Sequence, residues 1–198
     1  MNKRVLALVM VLALAVSGAF AAPLLQIGPT VFYHQQVWDS EKSEVILPES
    51  FGAVTNNIGI GADVRVNLGM LQLAAFADCG MPFGKDLSVL TMNGGVSLNT
   101  VISLAFLDAV VGAGAHVDVE HNFNSGAWAF NGAKFTSFDE LLKSCSLFYR
   151  AGASVNIGFM GVSVFADIPT SGSIGGSLSL KPLIDQTKIS ASLLFNIG

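Results

Sequence analysis

Nine residues able to move protons or hold charge sit along apolar stretches: Asp63, Arg65, Asp78, Asp118, Glu120, Arg150 and Asp167, with His34 and His116. Most lie directly between apolar neighbours. Such groups, brought together inside a protein, can form a polar constriction or a proton-sensitive gate. The simpler reading is a packed polar plug, because buried charges need partners in any case. His116-x-Asp118-x-Glu120 puts three ligand-type side chains on one strand face, but the spacing is not a recognised metal motif. The expectation is therefore no metal and no cofactor. His121, Asp118 and Ser125 supply the residue types of an acyl-transfer set without a local motif, and function must be argued from a site. No enzyme activity is expected.

The elements that carry these residues are strands. Ala109, Val111, Ala113, Ala115, Val117 and Val119 alternate with Gly112, Gly114, His116, Asp118 and Glu120. Period two marks a strand with two unlike faces. The same period recurs over 58–66, 71–78, 96–104, 147–157, 162–168 and 189–197, with a less regular strand over 25–37. The count is eight. Short turns are expected near 67–69, at Leu107-Asp108 and at Phe159-Met160. Long connections are expected over 39–56, 79–90, 121–146 and 169–187. Two hairpins share a pattern: Asn67 and Asn156 each precede a phenylalanine by nine residues, Phe76 and Phe165. Hairpin duplication would leave such an echo, but similar positions in one barrel also select similar residues, and that reading is preferred. Pro29 removes a ladder hydrogen bond and is read as a bulge in the first strand.

Composition agrees with a membrane barrel. Hydrophobic residues make up 52% of the 198-residue chain and charged residues 12%. Soluble domains carry roughly twice that charge. Residues 1–21 read as a secretory signal: Lys3-Arg4, an apolar run from Val5 to Val16, then Ala19-Phe20-Ala21. The expected mature domain is 22–198. Without Lys3 and Arg4, eight basic residues face 14 acidic ones, a net charge of −6. That argues against nucleic acid. A soluble barrel would carry lysines along its strands. Here Lys42, Lys85, Lys134, Lys143 and Lys181 fall in loops, and Lys188 opens the last strand. The apolar face therefore suits lipid and the polar face a confined lumen. Tyr33 and Tyr149 fall near the loop ends of their strands, and Phe106, Phe159 and Phe195 near the turn ends, as two interfacial belts would. Lipid offers backbone amides no partner, so the sheet must close.

On this architecture the chain resembles the small eight-stranded outer-membrane β-barrels of the OmpA-transmembrane, OmpX and OmpW type. The resemblance covers the mature chain and rests on strand pattern rather than on a motif. It implies an all-β, eight-stranded antiparallel up-and-down barrel with short periplasmic turns and long external loops. It also implies residence in the outer membrane of a diderm bacterium, among outer-membrane lipid, with help from the assembly machinery during biogenesis. One departure is the C-terminus, whose aromatic Phe195 comes three residues before the end.

The functional expectation is a structural or surface-interaction role carried by the loops, toward an extracellular partner or a small apolar ligand. A narrow OmpW-like channel is the alternative, and a lipid-modifying enzyme a third. A lumen lined by Gly59, Gly61, Gly112, Gly114 and Gly152 would favour the channel; one blocked by Phe76, Phe148, Phe165 and Arg150 would favour the first. Loop 121–146 carries Trp128, Phe130, Phe135 and Phe138, and Ser137-Phe138-Asp139-Glu140 matches a capping box ahead of a short helix. Loop 39–56, with Asp39, Glu41, Lys42, Glu44 and Glu49, reads as a solvated acidic loop. Arg150 is expected opposite Asp118, flanked by His116 and Glu120. Cys79 and Cys145 either pair in the oxidising exterior or remain separate thiols.

Overall fold

The computed structural model describes residues 23–34, 38–39, 41–46, 54, 57–80, 88–104, 107–131, 133–134 and 137–197. The signal segment lies outside these residues, as do Lys85, Phe106, Phe135 and Glu49. Eight long strands follow the period-two segments: β1 Leu25–Tyr33, β2 Ile58–Leu68, β3 Leu71–Gly80, β4 Val89–Leu104, β5 Leu107–Asn122, β6 Ser146–Ile157, β7 Met160–Ser173 and β8 Lys188–Ile197. Each pairs antiparallel with its sequence neighbours. β1 also pairs with β8, from Leu25↔Ile197 to Tyr33↔Ile189, so the sheet closes into a barrel. No helix among the described residues is long and apolar enough to cross a membrane.

Alternation decides the two faces. Outward positions expose Ile27, Val31, Leu73, Val96, Leu98, Val111, Val162 and Val164. Inward positions bury Gln26, Thr30, Asp63, Arg65, Asn99, Arg150, Ser163 and Ser192. The interior is thus mostly polar and the exterior apolar, the reverse of a soluble core. Ala113 is exposed and Gly112 faces in, as the period requires.

The short turns are tighter than their sequence positions suggested. β2 and β3 are joined by Gly69-Met70, and β6 and β7 by Gly158-Phe159. Gly69 and Gly158 have φ of 69° and 60°, the left-handed backbone that a two-residue hairpin needs at its first central position. Met160 is therefore the first residue of β7, and Leu107 and Asp108 already belong to β5, where Leu107 faces Leu104. Pro29 makes no bulge. The β1–β8 ladder skips Gly28 and Pro29 and resumes at Thr30↔Ser192 in unchanged register. The irregularity lies instead between Ser146 and Phe148, opposite Ser173 and Pro169.

The wall is uneven at the loop end. β4 and β5 have 16 residues each, against 9 in β1. β6 joins β5 only up to Ser146↔His116. Beyond it, Val119 to Asn122 pair with a short strand, Ala127–Phe130. The wall thus continues about 20 Å further along the strand direction on this side. Helix α1, Phe138–Ser144, follows. Ser137 Oγ accepts the Glu140 amide at 3.3 Å, as the capping pattern predicts.

Candidate functional site

Three levels fill the barrel. At the turn end, carboxamides form a belt. Gln26 Nε2 donates to Asn156 Oδ1 and to Asn196 Oδ1, both at 2.9 Å. Asn67 Nδ2 donates to Gln26 Oε1 at 3.3 Å, Gln72 Nε2 to Asn67 Oδ1 at 2.8 Å, and Asn99 Nδ2 to Gln72 Oε1 at 3.1 Å. Asn156 Nδ2 ties in Asp108 at 2.7 Å. A carboxamide both donates and accepts, so it can link strand to strand without charge. No single residue in the sequence marks this belt. The only signal was that Gln and Asn repeatedly occupy the inward phase near turns.

Above the belt lie two arginines. Arg150 stands directly across the β6–β7 ladder from Asp167 and grips it with both arms, Nε to Oδ1 at 2.7 Å and an NH2 group to Oδ2 at 2.6 Å. Arg65 binds Asp63 on its own strand at 2.5 Å and also Ser163 Oγ at 2.7 Å, with Ser192 and Ser154 nearby. Fork-to-carboxylate geometry gives the stronger kind of charge-assisted bond.

Phenylalanines fill the space between these pairs. The Arg65 guanidinium carbon lies 4.4 Å from the centre of the Phe165 ring, and that of Arg150 lies 5.1 Å from it. Arg150 also lies 4.6 Å from the centre of Phe76 and 5.4 Å from that of Phe148. These are cation–π distances. Phe76, Phe148 and Phe165 are 7%, 1% and 1% exposed, so no open bore passes them.

The glycines explain how the rings fit. Phe76 stands opposite Gly95, Phe148 opposite Gly114 and Phe165 opposite Gly152. A Cβ at those glycines would come within 2.6, 2.6 and 2.5 Å of the facing ring. Gly112 makes room for Asn99 in the same way, and Gly59 for Asp78 and His34. Gly59, Gly95, Gly112, Gly114 and Gly152 are therefore seats for large neighbours, whereas Gly61 lies against the backbone of Ala77 and Asp78.

The upper level is more open. His34 Nε2 meets Asp78 Oδ1 at 2.9 Å, and Phe32 stacks beneath the histidine. Arg150 is not opposite Asp118; it faces Gly112, six residues lower on β5. The loop between β5 and β6 is asymmetric, because the top of β5 pairs with Ala127–Phe130 instead of β6. Asp118 is instead bound by Lys188 at 3.2 Å. Asn131, with φ of 47°, accepts the Asp118 amide at 2.7 Å and its own amide returns to Asp118 O at 2.7 Å. This clamp ties the end of the Ala127–Phe130 strand to β5. A cavity of about 360 Å³ remains there, bordered by His116, Asp118, Glu120, Thr170, Leu183, Gln186 and Lys188.

Other sequence candidates separate. The His121 ring stacks on Trp128 at 4.2 Å and abuts Phe123, on the strand face opposite Asp118, while Ser125 Oγ accepts the Ala127 amide. His121, Asp118 and Ser125 do not form a set. Among the described residues, no three His, Cys, Asp or Glu side chains converge as a metal site requires. Cys79 and Cys145 are free thiols. Cys79 lies on β3 and Cys145 caps α1 just before β6; β4 and β5 stand between β3 and β6, roughly 14 Å of sheet, too far for a disulfide. Burial pushes the Cys145 thiol above its ordinary pKa. In the loops, Trp128 and Phe138 are exposed, and Phe130 is half-buried. Asp39 and Glu44 belong to a small hairpin in which Asp39 accepts the Glu41 and Lys42 amides. The Lys42 amide holds the Asp39 carboxyl below its ordinary range.

The backbone matches the crystal structure of Neisserial surface protein A with a TM-score of 0.52 and 10% identity, over 87% of this chain and 97% of that one. The fold is that of the small eight-stranded outer-membrane β-barrels. A second match is Ail, the attachment invasion locus protein of Yersinia pestis, solved with the heparin analogue sucrose octasulfate. It has a TM-score of 0.38 and 13% identity, over 86% and 93% of the two chains. No family model and no curated protein matches the sequence.

Proposed function

We propose that this protein is an integral outer-membrane barrel, closed to solute passage, that works through its external loops as a structural or surface-interaction protein. The plug carries this reading: two arginine–aspartate pairs packed between three buried phenylalanines, each seated on a glycine. A channel would need that space empty. The exposed band of Val31, Leu73, Leu98, Val111 and Val164 is an exterior suited to hydrocarbon and a liability in water. β1 starts and β8 finishes at the turn end, so the long loops face outward from the cell. There the raised β4–β5 wall, Trp128 and the Phe138 helix offer contact surface. An epitope tag inserted between Ser125 and Gly126 tests the orientation. It should bind antibody on intact cells; binding only after permeabilisation would contradict the reading.

A further inference from the structure

The mouth cavity carries more unused polarity than closure of the barrel requires. Glu120 borders it with no hydrogen-bond partner for its carboxylate among the described residues. Asp118 spends one oxygen on Lys188 and keeps the other. His116 is 8% exposed, lies tilted against Phe148, and makes no hydrogen bond among the described residues. Gln186 on the facing loop contributes a free carboxamide, and Leu183 an apolar wall. An imidazole at a cavity wall with no protein partner is available to a ligand there. The lower levels satisfy most of their polar groups with one another, through the carboxamide belt and the two arginine–aspartate pairs. Two carboxylates against one ammonium leave the cavity short of positive charge. Its volume, about 360 Å³, suits a small molecule.

We propose that this cavity binds a small organic ammonium carrying neighbouring hydroxyl groups, of hexosamine size, with Glu120 and the free oxygen of Asp118 receiving the ammonium. His116 and Gln186 then take the hydroxyls. The proposal deepens the surface-interaction reading and relies on it only for which end of the barrel faces outward.

Isothermal titration of the folded full chain in detergent, with glucosamine as probe and glucose and N-acetylglucosamine as controls, tests it. Glucosamine should bind saturably, and both controls more weakly. Glu120→Gln, an exposed position that leaves the plug intact, should weaken glucosamine by about tenfold, the loss of one charge-assisted bond. Lys188→Met should tighten it a few-fold, because Asp118 is released. Equal binding of all three sugars, no saturable glucosamine binding, or the two variants shifting affinity in the same direction would each overturn the proposal. None of these outcomes bears on whether the lumen is closed, which conductance reads separately.

Discussion

In the packed lumen Arg150 gives two arms of its guanidinium to Asp167, with rings on several sides. At the mouth Lys188 reaches Asp118 through one contact of 3.2 Å, and Glu120 stands alone among the described residues. The residue types are nearly the same. The difference is enclosure. Below, the arginine–aspartate pairs are enclosed by side chains from neighbouring strands, and phenylalanines seated on glycines fill the remaining space. Above, β6 begins late and the wall rises only on the β4–β5 side, so the same charges meet solvent. An ion pair is worth little in the second setting and is costly to break in the first. The lumen therefore behaves as a structural core made of polar residues, and the mouth is free to interact.

The largest effect should come from breaking the enclosed pair. Asp167→Ala should destabilise the barrel by about 3–5 kcal/mol, because it leaves a buried guanidinium without its partner. Urea unfolding in lipid vesicles measures it. Phe165→Ala, which removes the ring shared by Arg65 and Arg150, should cost about as much, 3–5 kcal/mol, by leaving a cavity. Next, Val111→Arg on the exposed outer face should cost about 2–4 kcal/mol in the same assay if that face meets lipid near the membrane centre. A neutral outcome would assign the wrong face to β5. The smallest effect should be Asp118→Asn at the mouth, within about 1 kcal/mol, since that carboxylate is partly exposed. Were Asp118→Asn to cost as much as Asp167→Ala, the contrast between the two regions would collapse. A covalent check is available too. The protein should run identically with and without reductant, since β4 and β5 stand between Cys79 on β3 and Cys145 just before β6.

Much of this was legible in the sequence. Period two gave the strands, their faces and their even number, because a one-residue slip would turn every apolar side chain inward. It gave the inward set from Asp63 to Asp167, and the repeated Asn-to-Phe spacing proved meaningful. Asn67 and Asn156 both join Gln26 in the belt, and Phe76 and Phe165 both face Arg150. Register was not legible. Arg150 missed Asp118 by six residues because a loop's length does not say how much of it continues a strand. The phenylalanine–glycine seats depend on that register, so the glycines read equally well as pore lining. The carboxamide belt escaped because each Asn or Gln is unremarkable alone and acquires meaning only when a closed sheet brings six strands together. Period two did put Val101 and Val110 on the inward phase, but that they meet Phe165 is a product of closure.

The central claim is that the lumen is shut by its own side chains. Single-channel recording in planar bilayers tests it most directly, with folded protein inserted at known density. The account predicts no discrete conductance steps from the native barrel. Reproducible steps from the native protein, persisting after the loops are trimmed by external protease, would contradict it.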